Sequence, residues 1–344
     1  MAGRSHRFAA MGRRAAAWLL GAAALLLQAW PVLASAQAAA GAGSVRFGIL
    51  PLGGAFESRN DWEPLLADLS RAIGKPVTML SVTSYEALEQ AIQRNQVDMA
   101  FLSGKMALDA VTLRHMKVIA QVTRADGLPG YRALLLARKT GSFTTLKDLL
   151  AEPEKWRIAR GESRSVSGFI VPQLQLFLPN HIAMETRFRS EIVGTHQVTA
   201  LAVANGEADV ATNNTADFER FRNQFPAEAE RLQVIWESEL IPHAQIVVRG
   251  DYPPAFQKQV QAFLVDYARG RGPRADQERA VLKSLHDLAG FVAADNSSLI
   301  PAAKLAYQLA RQSAMTSQWV SEAARQARLQ RIEATYADQI AGLK

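Results

Sequence analysis

The sequence predicts an α/β protein built from two lobes, each with its own sheet. Two stretches alternate strand-like with helix-like segments, one between about residues 44 and 102 and the other between about residues 131 and 248. Such alternation is typical of largely parallel sheets covered by helices. The chain has 344 residues, of which 49% are hydrophobic, and this is enough for two lobes with separate cores.

The first unit follows from local patterns. Residues 44–50 alternate apolar and polar side chains, and residues 61–73 carry apolar side chains every three or four positions until Gly74 ends the pattern. Two further apolar runs, the second preceded by Asp98, complete the unit. The predicted strands are Ser44–Leu50, Val77–Val82 and Met99–Leu102, and the predicted helices are Asp61–Ile73 and Ser84–Arg94.

The second unit, between about residues 138 and 244, repeats the alternation, and the rest of the chain is predicted to be helical. The predicted strands, counting one that leads into this unit and one that leaves it, are Tyr131–Ala137, Arg157–Ala159, Ala208–Ala211, Val234–Trp236 and Ile246–Val248. The predicted helices are Leu146–Leu150, Gly168–Leu178, His196–Ala204, Pro254–Tyr267, Asp276–Leu288, Leu299–Arg311 and Thr316–Ile340. The last helix packs either on the body of the protein or on a second copy, which would make a homodimer.

Residues 1–38 are predicted to be a secretory signal peptide. Four arginines and no acidic residue precede an apolar run, Ala15–Leu27, and small residues follow at cleavage positions near Ala36 and Ala38. The run is shorter than the roughly 20 apolar residues that span a membrane. An uncleaved N-terminal anchor is the alternative. Cleavage would remove four of the 39 basic residues and none of the 32 acidic ones, which lowers the formal charge from +7 to about +3.

Composition and motifs exclude several classes of function. The chain has no cysteine, so disulfides, thiolate metal sites, iron–sulfur clusters and cysteine nucleophiles are excluded. The six histidines show no metal-ligand spacing, and no nucleotide-binding loop or metalloprotease motif is present, so we expect no metal and no cofactor. Without a dense basic cluster interleaved with aromatic residues, nucleic acid is not an expected partner.

The loop at residues 161–168 is small and polar, and it leads from a strand into a helix. Its Ser165 and Ser167 would place hydroxyls and free backbone N–H groups at the positive end of a helix dipole, which is an anion-binding arrangement. The alternative is that one of these serines only caps the helix. A secreted hydrolase that uses Ser163 or Ser165 with His196 is a further alternative, but the loop lacks the second glycine of a hydrolase elbow.

Three more side chains are candidates for the same anion. His196 follows Thr195 at a second predicted helix start. Tyr85 lies in the first turn of a helix that follows a strand, and Tyr131 begins the strand that crosses toward the second unit. Binding crevices of open α/β sheets lie at the carboxyl ends of strands. The alternatives are an exposed histidine beside a plain cap, and tyrosines that belong to the core.

Together these residues resemble the phosphate/phosphite/phosphonate substrate-binding family of ABC transporters, and in particular its phosphonate-binding members. The resemblance covers about residues 45–270 and rests on the order and spacing of short stretches. The matching stretches are Phe47–Leu50, Trp62–Leu65, Val82–Tyr85, Gly130–Leu135, Ser165–Pro172, Ala202–Thr215, Val234–Ser238 and Leu240–Pro242.

The resemblance implies a two-lobed periplasmic binding protein of the type II kind, with mixed sheets flanked by helices and two crossing hinge strands. Lobe 1 would comprise residues 44–137 and 245–315, lobe 2 residues 138–244, and the C-terminal helix residues 316–344. The resemblance also implies that the ligand's oxyanion is held at Tyr85, Tyr131, Ser165, Val166, Ser167 and His196.

Several positions depart from the family pattern. Val166 replaces the central residue of the family's Ser-Thr-Ser, so one hydroxyl donor is missing. Ala216 and Ala244 stand where phosphonate binders carry the two carboxylates that receive the ligand's ammonium group. Since burying an ammonium without such a partner costs several kcal/mol, we predict that aminoalkylphosphonates are disfavoured. Arg164 and His243 would add positive charge near the ligand, unless Arg164 is a solvated surface residue.

The resemblance therefore predicts a periplasmic protein that is not an enzyme. It would close on a small anionic ligand, a phosphonate, phosphite or phosphate, and deliver it to an inner-membrane ABC permease. The alternatives are a protein that presents its ligand to a sensor or receptor, a binder of a different organic anion with the same fold, and a scaffold that has lost its site.

Overall fold

The computed structural model describes residues 43–51, 55–140, 145–285 and 288–344, with the backbone alone for residues 55–57. The predicted signal peptide lies outside the described residues. All elements below belong to the unit formed by Val45–Lys344. Within the described ranges, no helix is both long enough and apolar enough to cross a membrane.

Strands and helices alternate along most of the described chain. The strands are β1 (Val45–Ile49), β2 (Val77–Ser81), β3 (Met99–Leu102), β4 (Met116–Arg124), β5 (Gly130–Arg138), β6 (Arg157–Arg160), β7 (Ser190–Val193), β8 (Val210–Asn214), β9 (Leu232–Pro242), β10 (Gln245–Arg249) and β11 (Leu288–Ala293). The α-helices are α1 (Ala55–Ile73), α2 (Tyr85–Gln93), α3 (Gly104–Arg114), α4 (Leu146–Ala151), α5 (Met184–Arg187), α6 (His196–Ala204), α7 (Thr215–Gln224), α8 (Pro226–Ala229), α9 (Pro254–Asp266), α10 (Pro273–Ser284), α11 (Ile300–Thr316) and α12 (Glu322–Leu343). Short 3₁₀ turns lie at Pro153–Lys155, Leu178–Asn180 and Asn296–Leu299, and π-helical turns lie at Val166–Ile170 and Gln173–Phe177.

The described strands form two mixed sheets. The first has the order β11-β4-β10-β3-β1-β2, in which β1 runs parallel to β2 and β3, whereas β10 and β11 run antiparallel to their neighbours. The second has the order β7-β6-β8-β5-β9, in which β6 runs parallel to β7 and β8, whereas β5 runs antiparallel to β8 and β9. The predicted fold class, with mixed sheets flanked by helices, is confirmed.

The chain passes between the two sheets twice. It leaves the first sheet after β4 and enters the second at β5, and it returns from β9 to β10 through His243 and Ala244. Because β5 pairs with β8 and β9, the second sheet begins at Gly130, before residue 138, where the sequence places the start of the second lobe.

Each sheet has its own apolar core, which supplies the main driving force for folding. In the first, Trp62 of α1 packs between Phe47 of β1 and Phe101 of β3, with ring centroids 5.5 and 4.9 Å away. In the second, one core cluster includes Phe177 and a separate one includes Phe218. The separate cores allow each lobe to keep its shape as a unit.

Equivalent arginine–aspartate pairs lie at the start of one parallel strand in each sheet. Arg46 of β1 donates through its backbone N–H and its guanidinium to Asp98, each at 2.8 Å, and Arg157 of β6 does the same to Asp209 at 2.7–3.1 Å. Arg249 adds a second guanidinium 3.2 Å from Asp98. Desolvation raises the pKa of each carboxyl, but the arginine hydrogen bonds outweigh it and hold the pKa of both aspartates below its ordinary value.

Some elements lie where the sequence predicts none. α3 and β4 fill the gap between the two predicted units, and β7 and α7 are likewise additional. β11 begins at Leu288, where the sequence extends a helix, because Leu288 and Phe291 pack into the core through the pairing of β11 with β4. That pairing joins residues far apart in the chain, so no local pattern reveals it.

Several predicted helix starts are wrong. The helices predicted from Asp61 and Asp276 begin at Ala55 and Pro273, and two further starts are shifted. The helix predicted from Gly168 begins at Val166, because the Ser165 side chain accepts the Gly168 N–H at 3.0 Å. The helix predicted from Thr316 begins at Glu322. The Ser321 side chain caps that helix, and the preceding helix α11 continues to Thr316.

The C-terminal helix α12 packs on its own chain. Tyr336 stacks on Tyr307 of α11 at 4.5 Å, and Ile332 and Leu343 are buried. This is one of the two predicted arrangements, and the homodimer through this helix stays a prediction. α11 itself contacts both lobes, since its Ala303 belongs to the first core and its Leu305 packs on the second.

Candidate functional site

A small cavity lies at the carboxyl ends of strands from both sheets, beside the two crossing segments. It encloses about 40 Å³ of water-accessible volume, enough for a few waters or one tetrahedral oxyanion. The predicted site residues that line it are Tyr85, Tyr131, Ser165, Val166, Ser167, His196, Ala216, His243 and Ala244. Its other lining residues are Leu50, Phe101, Ser103, Val122, Arg124, Asn214 and Asp217.

The helix that starts at Val166 presents backbone donors to this cavity. The Gly168 N–H is taken by Ser165 Oγ, and within the described residues no acceptor is found for the N–H groups of Val166 and Ser167. The tight turn depends on two glycines in contact, because a Cβ on Gly161 would lie 2.9 Å from Gly168 Cα and a Cβ on Gly168 would lie 2.7 Å from Ser165 Oγ. Both predicted roles of Ser165, cap and cavity lining, are thus compatible with one geometry.

A chain of polar side chains orients the hydroxyl of Ser167. Asn214 Nδ2 donates to Ser167 Oγ at 3.2 Å and to Asp217 Oδ2 at 2.6 Å. His196 Nε2 lies 3.1 Å from the same Ser167 Oγ. Because Asn214 occupies an acceptor position of Ser167, the hydroxyl proton of Ser167 is available for His196, for Tyr131 or for a ligand.

His196 is held rigidly at the start of α6. Thr195 caps the helix, and the carbonyl of His196 accepts from Asn213 Nδ2 at 2.8 Å. Burial lowers the pKa of His196, and this effect outweighs the opposing influence of the Asp217 carboxylate, 4.0 Å from Nε2, and of the Thr212 backbone. The imidazole is therefore neutral near pH 7 and offers a single N–H.

The two tyrosines stay protonated over the physiological range. Burial raises the pKa of Tyr85, against the effect of a hydrogen bond with Ser165. Burial also raises the pKa of Tyr131 to about 12, with the Asp217 charge adding to the shift and a hydrogen bond with Ser167 opposing it. Both phenols are thus neutral hydroxyl groups beside the helix start.

His243 lies beside the cavity and contacts both crossing segments. Its ring stacks on Tyr131, with centroids 6.1 Å apart, and its Nε2 lies 3.0 Å from the Leu128 carbonyl in the other crossing segment. Burial lowers the pKa of His243, more than the hydrogen bond to Leu128 raises it. His243 is therefore neutral near pH 7, and it joins the two crossings instead of bringing charge to the cavity.

Arg164 does not line the cavity with the other predicted residues. Its guanidinium pairs with Glu89 of α2, across the gap between the lobes. The positive charge of Arg164, which was expected near the ligand, is thus paired with a carboxylate of the opposite lobe.

Four polar residues of the cavity wall were not predicted from the sequence: Ser103, Arg124, Asn214 and Asp217. Asn214 and Asp217 follow the pattern of a helix cap, since Asn214 Oδ1 accepts the Asp217 N–H at 2.8 Å, and this spacing directly after an apolar strand was a usable signal. Arg124 ends β4, a strand that the sequence analysis did not identify, so its position at the site had no local signal. Asp217 matters most, because it is a carboxylate that is 8% exposed at the cavity.

The assembled groups suit anion binding better than catalysis or metal binding. In a nucleophilic triad the acid holds Nδ1 of the histidine and the serine meets Nε2. Here Ser167 and Asp217 both face Nε2 of His196. Among the described residues, no group of three or more potential metal ligands converges. Hydroxyls, backbone N–H groups and a neutral imidazole instead form a set of donors for oxygen atoms.

Sequence comparisons point in the same direction. A family model described as ABC transporter, phosphonate, periplasmic substrate-binding protein matches residues 47–299. The chain is similar to the phosphonates-binding periplasmic protein of Escherichia coli strain K12, with 32% identity over 295 residues, which are 86% of this chain and 85% of that protein.

Solved structures show the same fold. The binding-protein component of an ABC phosphonate transporter from Pseudomonas aeruginosa superposes with a TM-score of 0.80 at 30% identity, over 86% of this chain and 96% of that one. PhnD1 from Prochlorococcus marinus, solved in complex with methylphosphonate, superposes with a TM-score of 0.67 at 17% identity, over 78% and 98% of the two chains. The second likeness is one of fold alone.

Proposed function

The chain belongs to the periplasmic substrate-binding proteins of phosphonate ABC transporters, and we propose that it captures an unaminated phosphorus oxyanion in this cavity. Residues 1–38 would direct its export, and in the periplasm it would carry the anion to an inner-membrane permease. The single observation that carries the proposal is the convergence of the Ser165–Ser167 helix start, two protonated tyrosines and His196 on one cavity.

The donor set supports an oxyanion as the ligand. The N–H groups of Val166 and Ser167 lie at the positive end of a helix, and the hydroxyl of Ser167 is oriented by Asn214. Val166 lacks the central hydroxyl of the family pattern, but its backbone N–H is still a donor. Binding needs no covalent step, and we propose that the protein is not an enzyme.

The wall of the cavity supports an unaminated ligand. Ala216 and Ala244 line it where the family resemblance places carboxylates for an ammonium group. The carboxylate that is present, Asp217, is held by Asn214 and lies beside His196, at the oxyanion end. An ammonium at the alanines would lose its hydration without gaining a partner, which costs several kcal/mol.

Lobe closure is the proposed mechanism of capture. Both lobes contribute to the cavity, the first through Tyr85 and the second through the Ser165–Ser167 helix start, so the anion completes the contacts of the closed form. A ligand stabilises that form by its difference in affinity for the two states. The permease would then recognise the closed protein.

Thermal melting against a small panel of anions tests this proposal. The panel holds methylphosphonate, phosphite, phosphate, 2-aminoethylphosphonate and sulfate. A ligand at 100 times its dissociation constant adds roughly 2.7 kcal/mol to stability. We expect a clear rise in Tm with an unaminated phosphorus oxyanion. A larger rise with 2-aminoethylphosphonate would contradict the proposed ligand class, and no rise with any phosphorus compound would contradict the proposed function.

A further inference from the structure

The start of helix α2 is occupied by a carboxylate from the other lobe. Glu162, in the loop after β6, accepts the Tyr85 N–H at 2.9 Å through Oε1 and the Glu86 N–H at 3.2 Å through Oε2. Ser84 takes the next free N–H, that of Ala87, at 3.0 Å. The first N–H groups of a helix lack intrahelical acceptors and carry its positive end, so a carboxylate is their favourable partner.

We propose that Glu162 is a positioning residue that clasps the closed form and sets ligand affinity without touching the ligand. Glu162 is absent from the described residues that line the cavity, whereas Tyr85, whose backbone it holds, is among them. The loop of Glu162 connects to the second sheet and α2 to the first, so this contact exists only when the lobes are together. On opening, the carboxylate and the helix start both return to water.

Two ion pairs lie along the same boundary and support this role. Arg164, two residues from Glu162, pairs with Glu89 one turn further along α2. Arg220 of α7 lies 2.8 Å from Asp61 of α1, and both side chains are mostly buried. These ion pairs also join residues of opposite lobes, so polar contacts outside the cavity stabilise the closed form. The contact of Glu162 is made to the backbone of a cavity residue, Tyr85.

The expected effect on binding follows from population arithmetic. The apparent dissociation constant is the intrinsic one divided by the fraction of molecules in the competent form. Removing a carboxylate from a helix start and two charge-assisted hydrogen bonds should weaken apparent affinity by about tenfold. Glu162→Gln keeps an acceptor and loses the charge, so its effect should fall between those of the wild type and Glu162→Ala.

The absence of cysteine from the sequence makes closure directly measurable. Lys75→Cys and Ala227→Cys place spin labels at exposed positions on the two lobes, and pulsed electron resonance then gives the interlobe distance distribution. The distribution is recorded for the purified protein, for Glu162→Ala and for Glu162→Gln, with no ligand and with methylphosphonate. Glu207→Ala, an exposed glutamate on the same lobe, is the matched control. Calorimetry gives the dissociation constants, and melting curves show that each variant is folded.

The clasp predicts a smaller population at the closed distance in Glu162→Ala than in the wild type and in Glu207→Ala, with little change in Tm. Identical distributions in the wild type and Glu162→Ala under every condition would overturn it. The affinity measurement rests on the proposed function, whereas the comparison without ligand does not. Methylphosphonate could leave both distance distributions unchanged while the two unliganded distributions differ from each other. In that case the role of Glu162 stands and the proposed ligand fails. If methylphosphonate binds both proteins equally, the ligand stands and the clasp fails.

Discussion

Replacing Ser167 with alanine removes a hydroxyl that has several hydrogen-bond partners in the oxyanion site. Ser167 Oγ lies 3.1 Å from His196 Nε2 and accepts from Asn214 Nδ2 at 3.2 Å, so its proton points to His196 or Tyr131 and turns to the ligand on binding. A hydrogen bond to a charged group contributes roughly 1.5–3 kcal/mol, and every 1.4 kcal/mol or so is a factor of ten. We expect Ser167→Ala to weaken methylphosphonate binding by roughly 10- to 150-fold.

The same substitution should lower stability only moderately. Asn214 Nδ2 keeps its bond to Asp217, so the variant leaves one donor position without its acceptor, at a cost of roughly 1–2 kcal/mol. Titration calorimetry at fixed salt gives the affinity, and a urea melt gives the stability. Ser163→Ala, at an exposed serine of the same loop, is the control. The account of the site would be refuted if Ser167→Ala, still folded, bound within twofold of the control.

Two further predictions concern the ligand class and the fold. The double variant Ala216→Glu with Ala244→Asp should restore partners for an ammonium and raise the affinity for 2-aminoethylphosphonate at least tenfold relative to methylphosphonate, as measured by calorimetry; an unchanged ratio would argue against the role of the alanines. Asp98→Asn should cost roughly 1–3 kcal/mol of unfolding free energy at pH 7, because Asp98 is buried and accepts from Arg46, whose guanidinium stays partly solvated. Since the pKa of Asp98 is lowered in the folded state, this difference should persist above the unfolded value of about 3.9 and vanish as the pH falls through the folded value. Urea unfolding at several pH values measures it, with the exposed Asp276→Asn as the control, and equal losses in the two variants would contradict the prediction.

Local patterns predicted the elements whose signals lie within a few residues. The strand Met99–Leu102 and the helix His196–Ala204 have the predicted bounds, because an apolar run and a capped apolar helix need no distant partner to be recognised. β4 and β11 were missed, since they are defined by pairing with each other and with β10, far away in the chain. The sequence thus predicts the class of the fold better than the limits of its sheets.

The residues of the site also differ in whether a local sequence signal identifies them. Ser165 and Ser167 were identifiable because a polar loop before an apolar helix is a local signal. Asp217 was not considered, although it follows a cap residue, because its approach to His196 depends on how β8 places the start of α7. Glu162 could not be assigned at all, since its partners belong to the other lobe.

A crystal structure of the protein with methylphosphonate would show the oxyanion site itself. We expect the phosphorus at the helix start, with one oxygen within hydrogen-bond distance of Ser167 Oγ, others toward Tyr85 and Tyr131, and the methyl group toward Ala216 and Ala244. Methylphosphonate bound outside this cavity, or bound with its oxygens against the alanines, would contradict the account.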